Sequence, residues 1–221
     1  KFFISYAQNY EDVMLYRALK HVERGFYIDV GAQDPETDSV TRAFYERGWR
    51  GINIEPVQHW YDRLVADRPH DINLRVAASD HAGELVLFES NDSGLSTSEK
   101  TFADDARANG WKLTENRVPC VTLDRICSEH DVTTVHFLKV DCEGAEEQAL
   151  RGMPLDRIRP WIIVVEATEP NSTRPTHQHW EHLLTGNRYG FAYFDGVNRY
   201  YVANEHAELR DAFAVPPHVF D

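Results

Sequence analysis

Two apolar runs that each end in an acidic residue limit most strongly what this chain can fold into. A run at 26–28 leads into Asp29-Val30-Gly31-Ala32, and a second run at 51–54 ends at Glu55. An amphipathic stretch lies between them. This order predicts a β-α-β unit whose first loop lets backbone approach a ligand and whose second acidic side chain accepts from ribose hydroxyls.

The loop after the first run differs from a dinucleotide-binding loop. Gly31 is followed by Gln33, Asp34 and Pro35, so the G-x-G-x-x-G spacing is missing. The carboxylates of Asp29 and Asp34 would also repel a diphosphate. A nicotinamide oxidoreductase is therefore disfavoured. An acidic loop suits a cationic ligand, and S-adenosylmethionine carries a sulfonium and an ammonium group.

Composition narrows the partners and the domain organisation. The chain has 221 residues and a formal net charge of −13, which disfavours nucleic acid and anionic membranes as partners. No stretch approaches the ~20 apolar residues of a membrane span. Three cysteines without metal spacing suggest reduced thiols and a cytoplasmic location. We expect one domain over 1–221 with an N-terminal helical cap at about 5–22. Because the chain begins with Lys1, we expect it to be a segment of a longer multidomain protein.

Hydrophobic periodicity predicts alternating helices and strands. Helices are expected at 9–20, 37–48, 57–67, 145–152 and 177–186. Strands are expected at 26–31, 51–55, 72–79, 83–89, 136–141, 161–167, 191–194 and 199–202. Residues 90–118 are polar and poorly periodic, which is typical of a functional or mobile segment. The pattern predicts an α/β, Rossmann-like fold with helices on both faces of a mostly parallel sheet and an antiparallel ending.

Acidic residues recur where the predicted strands end. They are Asp29, Glu55, Asp80, Asp141 and Glu166. Ligands of such sheets bind beyond the carboxyl ends of the strands. One carboxylate at a strand end is ordinary, but five along one sheet edge favour a polyhydroxy or cationic ligand.

Several short motifs occur together in a specific order. They are Ser5-Tyr6-Ala7-Gln8-Asn9-Tyr10-Glu11-Asp12, the Asp29-Val30-Gly31-Ala32 loop, Gly48-Trp49-Arg50-Gly51-Ile52-Asn53-Ile54-Glu55-Pro56, Val76-Ala77-Ala78-Ser79-Asp80, Gly94-Leu95-Ser96, Thr122-Leu123-Asp124 and Leu138-Lys139-Val140-Asp141-Cys142-Glu143-Gly144-Ala145-Glu146. Over about residues 4–167 the chain resembles the FkbM-type S-adenosylmethionine-dependent methyltransferases.

The resemblance implies a class I methyltransferase fold with a seven-stranded, mostly parallel sheet. It also implies transfer of a methyl group to a hydroxyl, most often on a sugar of a glycan, a glycolipid or a natural product. Some relatives are fused to glycosyltransferase domains, which would fit a chain that is part of a longer protein. A methyltransferase-like domain that only binds a glycan or a partner is the alternative.

The cofactor site is expected to include residues from most of these motifs. Asp29 and Gly31 would hold the methionine end, and Glu55 would bind the ribose hydroxyls. The small residues Ala78 and Ser79 leave room for adenine. Asp80 can accept a hydrogen bond from the exocyclic amine of adenine. The resemblance suggests that Gln8 and Asp12 close over the cofactor. Asp141 completes the set, where donor and acceptor should meet.

A hydroxyl attacks poorly until its proton leaves, so the site needs a base or a metal beside the acceptor oxygen. Asp141 or Glu143 could be that base. Together with Glu166 they could instead bind Mg²⁺ through oxygen ligands. We favour base and orientation roles over metal binding.

The polar segment 90–118 could supply the acceptor site. Ser93, Ser96 and Thr97 could hydrogen-bond to sugar hydroxyls, and Trp111 could stack on a sugar face. A buried core position is an equal alternative for Trp111.

Overall fold

The fold was analysed in a computed structural model, which describes residues 3–90, 96–170 and 172–221. The strands are β1 (Phe26–Val30), β2 (Arg50–Ile54), β3 (Ile72–Leu74), β4 (Ala77–Ala78), β5 (Gly83–Ser90), β6 (Ser96–Thr97), β7 (Leu113–Val121), β8 (Phe137–Val140), β9 (Ile162–Glu166), β10 (Tyr189–Phe194) and β11 (Asn198–Ala203). The α-helices are α1 (Glu11–Leu19), α2 (Arg42–Glu46), α3 (Gln58–Asp67), α4 (Lys100–Ala108), α5 (Leu123–Glu129), α6 (Glu146–Arg151) and α7 (Glu181–Thr185). Two 3₁₀ segments span His177–His179 and Asn204–Phe213.

The central sheet of the described residues is mixed. Its strand order is β10-β11-β9-β8-β1-β2-β3. The pairings β2–β3, β1–β2, β1–β8 and β8–β9 are parallel, whereas β9–β11 and β10–β11 are antiparallel. The α/β class expected from the sequence is confirmed, and the antiparallel pair lies at one edge of the sheet. The carboxyl ends of β1, β2, β8 and β9 therefore meet at one edge of the sheet, where the sequence predicted that the strand-end carboxylates would lie.

Apolar residues cover both faces of this sheet, and alternation along each strand decides which face a side chain joins. In β1, Ile28 and Val30 belong to one core cluster and Tyr27 to the other. Asp29 therefore lies on the face of Tyr27. Lys139 is the register partner of Asp29 on β8, so the two side chains lie side by side on that face.

A second sheet is inserted between β3 and α5, with the strand order β4-β7-β5-β6. It corrects two sequence-based predictions. The strand expected at 72–79 is divided, because β3 pairs with β2 while β4 pairs with β7. The segment 90–118, expected to lack strong structure, contains α4 and most of the nine-residue β7. Most β7 side chains are exposed, so this strand has no apolar alternation to detect.

Of the helix expected at 37–48, only the C-terminal part forms, as α2. Asp34 accepts hydrogen bonds from the backbone N–H groups of Glu36 and Thr37, an arrangement that forms a turn. Asp38 then has φ 58°, which a right-handed helix does not allow. The chain at 31–41 is therefore a loop, and it lies beside the carboxyl end of β1.

Two further helical segments differ from expectation. The helix expected at 177–186 divides into the 3₁₀ turn His177–His179 and α7, with the buried Trp180 between them. Helix α5 was not predicted, although Thr122 caps it by accepting from the backbone N–H of Arg125 at 3.1 Å. Among the described residues, no helix has both the length and the apolar character needed to cross a membrane.

A fully buried arginine fixes the 31–41 loop to the sheet. Arg68 donates to the Pro35 carbonyl at 2.6 Å and to Ser39 Oγ at 3.0 Å, and its guanidinium lies 3.7 Å from the Asp71 carboxylate. Asp71 in turn accepts from the hydroxyl of Tyr27 at 2.5 Å. This network joins the loop, α3 and two strands below the site.

Arg68→Ala should lower the free energy of unfolding by about 3–5 kcal/mol, because it leaves the buried Asp71 carboxylate without its cation. Urea denaturation measures this change. Arg125→Ala is the control, since its ion pair with Glu129 is exposed and is worth about 0.3–0.5 kcal/mol. Equal losses in the two variants would show that the buried network does not hold the fold.

Candidate functional site

The loops after β1 and β8 approach each other so closely that one of them requires glycine. Gly31 has φ +75°, and a Cβ at this position would lie 1.8 Å from the carbonyl oxygen of Asp141. Neither the conformation nor the distance allows a side chain. Gly31 and Asp141 therefore form the floor of one site from two different strands.

Lys139 joins the acidic residues of these two strands. Its Nζ lies 3.4 Å from a carboxylate oxygen of Asp29 and 3.4 Å from one of Asp141, and it donates to the Gly31 carbonyl at 3.0 Å. Burial lowers the pKa of Lys139, but the Asp29 and Asp141 carboxylates raise it by more, so the pKa is above its ordinary value. Lys139 therefore stays charged in the buried site.

Asp29 itself is buried behind this lysine. Its side chain accepts from Thr41 Oγ1 at 3.0 Å, and it does not line any of the three cavities described below. The structure thus places Asp29 under the site, in contact with Lys139.

Glu55 follows β2 and is held by backbone on both sides. One carboxylate oxygen accepts from the N–H of Gln33 at 2.9 Å and the other from the N–H of Val57 at 2.8 Å. Burial raises the pKa of Glu55 to about 7. A ligand hydroxyl beside Glu55 would meet a carboxylate that is already oriented.

Cavity A lies between the central sheet and the second sheet. It spans about 570 Å³ of space between protein atoms, part of which is open to solvent. Its lining is Val30, Gly31, Gln33, Ile54, Glu55, Pro56, Val57, Trp60, Ala77, Ala78, Leu85, Leu87, Ser96, Ser98, Asp141, Cys142, Glu143 and Ala145. Three acidic side chains line it together with an apolar wall, so the cavity suits a ligand that has both a charged and a flat apolar part.

The apolar wall of cavity A contains residues that sequence reasoning did not assign to the site. Trp60 comes from α3, and Leu85 and Leu87 come from β5. The alternation of Leu85 and Leu87 with Val86 and Phe88 was visible in the sequence. What the sequence did not indicate is that β5 lies over the carboxyl ends of the central strands.

Of the three residues expected around adenine, Ala78 lines cavity A and the other two do not. Ser79 is buried, and its N–H donates to the Val121 carbonyl. Asp80 is exposed and pairs with His81 at 2.7 Å, and the hydrogen bond with His81 lowers the pKa of Asp80. One oxygen of the Asp80 carboxylate is therefore paired with the neighbouring residue in the chain.

Four carboxyl groups cluster around the end of β8: Asp141, Glu143, Glu146 and Glu166. Burial raises the pKa of Glu143 to about 8, with Asp141 and Glu146 adding to the effect. Burial, Asp141 and Glu143 raise the pKa of Glu166 well above its usual range. Glu166 Oε2 is buried and has no hydrogen-bond partner among the described residues.

Two larger cavities adjoin cavity A. Cavity B, of about 1040 Å³, is lined by Phe88, Ser96, Thr97, Phe102, Asp105, Ala106, Asn109, Trp111, Leu113, Glu143, Glu169, Pro170, Ser172 and Arg174. Cavity C, of about 1300 Å³, is lined by Gln8, Glu11, Gly31, Ala32, Gln33, Thr37, Asp38, Val40, Trp111, Lys139, Asp141, Glu143, Glu166, Thr168, Ser172, Val197 and Asn198. Glu143 lines all three cavities, and no other described residue does.

The expected acceptor residues lie around cavity B where they are described. Ser96 lines cavities A and B, Thr97 lines B, and Trp111 lines both B and C while only partly buried. Trp111 is therefore outside the core. Ser93 falls in 91–95, outside the described residues.

The N-terminal segment contributes unequally. Gln8 lines cavity C, but the buried Asp12 accepts from Ser5 Oγ, from two backbone N–H groups of its own segment and from Val13. Glu11, which the sequence did not single out, lines cavity C and accepts from Asn198 Nδ2 at 2.8 Å. Asp12 thus folds the segment that presents Gln8 and Glu11.

A metal centre would need several ligands at one point. Within 3–90, 96–170 and 172–221, no three His, Cys, Asp or Glu side chains converge in a way that could hold a metal ion.

Comparison with known protein families gives a match over most of the chain. The model of the methyltransferase FkbM domain matches residues 29–193. The chain belongs to the FkbM methyltransferase domain family. The matched stretch begins at Asp29 and includes the residues of cavity A, whereas Gln8 and Asp12 precede it.

Two other comparisons add little to the family. Among solved structures, the chain is similar to the O-methyltransferase from Bacillus cereus crystallised in complex with SAH, with 9% sequence identity and a TM-score of 0.44. That match covers 90% of this chain and 84% of the other. A likeness at this level carries no argument about activity. Comparison with curated proteins gives no match.

Glu143→Gln should raise the melting temperature above pH 8. Folding raises the pKa of Glu143 from 4.5 to about 8, so the folded chain holds this proton more tightly and the free energy of unfolding falls as the pH rises through that range. Glutamine removes this loss. Differential scanning calorimetry should show similar melting temperatures near pH 5 and a variant more stable by roughly 3–6 °C at pH 8.5.

Glu129→Gln, at an exposed position, is the control and should follow the wild type at every pH. Parallel curves for Glu143→Gln and the wild type would contradict the raised pKa.

Proposed function

We propose that this domain is an S-adenosylmethionine-dependent O-methyltransferase that methylates a hydroxyl of a sugar in a glycan, a glycolipid or a glycosylated natural product. The observation that carries the proposal is the position of Glu143, where the partly apolar cavity A meets the polar cavities B and C. A basic group at such a junction can reach both a donor and an acceptor. Family membership supports methyl transfer as the reaction.

Cavity A has the features that the methyl donor needs. Glu55, held by two backbone N–H groups, would accept from the ribose hydroxyls, and the wall formed by Trp60 and Leu87 would cover adenine. Asp141 also lines the cavity, and its carboxylate would attract the cationic methionine part. Gly31 lines the same cavity. Asp29 would act through Lys139, which it holds in place.

When bound, S-adenosylmethionine supplies a methyl group activated by its sulfonium. The acceptor hydroxyl must lose its proton as its oxygen bonds to that carbon, and Glu143 is placed to take the proton. A carboxyl with a pKa of about 8 is a stronger base than an ordinary glutamate, although it is mostly protonated at neutral pH. A cation bound beside Glu143 would lower its pKa and so free the carboxylate when the donor is present. Asp141 would orient the reacting groups, and Glu166, which keeps its proton, could donate to the acceptor.

The acceptor would occupy cavities B and C. Trp111, exposed to both, offers a flat face for a sugar ring. Ser96 provides a hydroxyl between cavities A and B, and Ser93 would add another from the segment outside the described residues. Asp105 and Asn109 give cavity B further hydrogen-bonding groups. Cavity B mixes three aromatic side chains with several polar groups, which suits the faces and hydroxyls of a sugar ring.

Several features of the wider protein stay predictions from sequence. They are the single-domain boundaries, the fusion to glycosyltransferase domains and the cytoplasmic location. Mg²⁺ dependence is also a prediction, and a less favoured one, and the non-catalytic binding domain is the alternative to an enzyme.

The function is tested by incubating the chain with S-adenosylmethionine carrying a labelled methyl group and a panel of methyl glycosides and oligosaccharides. Mass spectrometry should show products heavier by one methyl group, and SAH should inhibit their formation. Binding of a glycan without transfer, and without binding of S-adenosylmethionine, would favour the non-catalytic alternative.

Asp141→Ala should abolish turnover while the fold stays intact. Removing a carboxylate at the transfer point should lower kcat by about 100-fold or more. Circular dichroism verifies the fold, and Glu129→Ala, which removes an exposed carboxylate far from the cavities, is the matched control. Near-normal turnover in Asp141→Ala would remove this residue from the site.

Glu55→Ala should weaken binding of S-adenosylmethionine by about 1.5–3 kcal/mol, because a charge-assisted hydrogen bond to the ribose is lost. Isothermal titration calorimetry gives the affinity, and the melting temperature shows whether the 33–57 backbone still folds. An unchanged affinity would refute the ribose assignment.

A further inference from the structure

Glu143 has a backbone conformation that an L-residue avoids. Its φ is 51°, in the left-handed region, where the Cβ of an L-residue comes too close to its own backbone. The following residue, Gly144, is also left-handed, with φ +104°. Such a turn persists only where its surroundings hold it, so the groups that bond to this loop decide where the Glu143 side chain lies.

Two side chains bond to the backbone on either side of Glu143. Thr97 Oγ1 donates to the Glu143 carbonyl at 2.7 Å. Glu146 Oε1 accepts from the N–H of Cys142 at 2.9 Å and from the N–H of Gly144 at 3.1 Å. Because Thr97 Oγ1 also accepts from the N–H of Glu99 at 3.0 Å, its own proton is directed at the Glu143 carbonyl.

Packing closes the loop from the side of α4. A Cβ on Gly144 would come within 2.3 Å of the Phe102 ring, so this ring rests against the bare backbone. Glu146 is buried and does not line any of the three cavities. Glu146 therefore contacts the backbone of the loop and would not touch a ligand in these cavities.

We infer that Thr97 and Glu146 are positioning residues, which hold Glu143 in its left-handed conformation at the junction of the three cavities. The inference rests on the proposed role of Glu143 as the base. Thr97 belongs to the second sheet and lines cavity B, the proposed acceptor site. A residue of the acceptor site therefore holds Glu143, the proposed base, in position.

Thr97→Val tests this inference, because valine keeps the shape of threonine and removes the hydroxyl. With the carbonyl of Glu143 released, we expect kcat for methyl transfer to fall by about 10- to 100-fold, while KM for S-adenosylmethionine stays within about twofold. Thr97→Ser retains the hydroxyl and should restore most of kcat. Thr134→Val, at an exposed position of the 130–136 loop, is the matched control.

A second readout needs no activity. In ¹³C NMR of glutamate-labelled chain, the Glu143 carboxyl, assigned with Glu143→Gln, should titrate near pH 8 in the wild type. In Thr97→Val it should titrate at a lower pH, because the released loop gives the carboxyl more solvent. The titratable groups facing it, Asp141, Glu146, Lys139 and Glu166, are the same in both chains.

Glu146→Gln keeps an oxygen that can accept from the two N–H groups, so its kcat should stay within about threefold of the wild type. Glu146→Ala removes that oxygen and should lower kcat as Thr97→Val does.

An unchanged kcat together with an unchanged Glu143 titration in Thr97→Val would overturn the inference. If the wild type neither binds S-adenosylmethionine nor transfers a methyl group, the proposed function fails instead. In that case the titration still decides whether Thr97 positions Glu143, so the two failures are distinguishable.

Discussion

The contact of Lys139 with the ends of two strands is the interaction on which the site depends. One ammonium group faces the carboxylates of Asp29 and Asp141 and donates to the carbonyl of Gly31. Without it, the buried carboxylate of Asp29 and the half-buried carboxylate of Asp141 would face each other without a cation where the β1 and β8 loops approach most closely. The same approach excludes any side chain at Gly31. Lys139 is therefore needed to balance the two carboxylates, and glycine is needed at position 31 because the two loops lie so close together.

Other carboxyl groups of the site avoid mutual repulsion by keeping their protons. Lys139 is the one basic residue that lines cavity C among the described residues, whereas five acidic residues line it. Burial and mutual repulsion raise the pKa values of Glu143 and Glu166, so these groups keep protons that ordinary glutamates would lose. A site that holds its protons in this way is suited to bind a cation, since a bound positive charge would lower both pKa values. The acidity of the site is thus a property that a cationic donor would use.

The sequence indicated the strand-end residues because a parallel sheet brings its carboxyl ends together whatever the details of packing. Gly31, Glu55, Asp141, Glu143 and Glu166 all line cavities at that edge. Other parts of the site could not be predicted because the side chains that build them are exposed. Strand β7 is mostly exposed and carries no period, so the second sheet and its wall of Leu85 and Leu87 could not be placed.

Side-chain partners were also beyond the sequence. Asp80 and Asp12 have the residue type that a cofactor site needs, but local hydrogen bonds occupy both carboxylates. The left-handed backbone of Glu143 follows from bonds to Thr97 and Glu146, of which Thr97 is distant in the chain. Tertiary contacts of this kind leave no trace in periodicity or spacing.

The most direct measurement is a crystal structure of the chain with SAH and a sugar acceptor. We expect the ribose hydroxyls on Glu55, the adenine against Trp60 and Leu87, the acceptor hydroxyl facing the sulfur directly, and Glu143 within hydrogen-bond distance of that hydroxyl. Binding of SAH outside cavity A, or an acceptor hydroxyl out of reach of Glu143, would contradict the assignment of donor, acceptor and base.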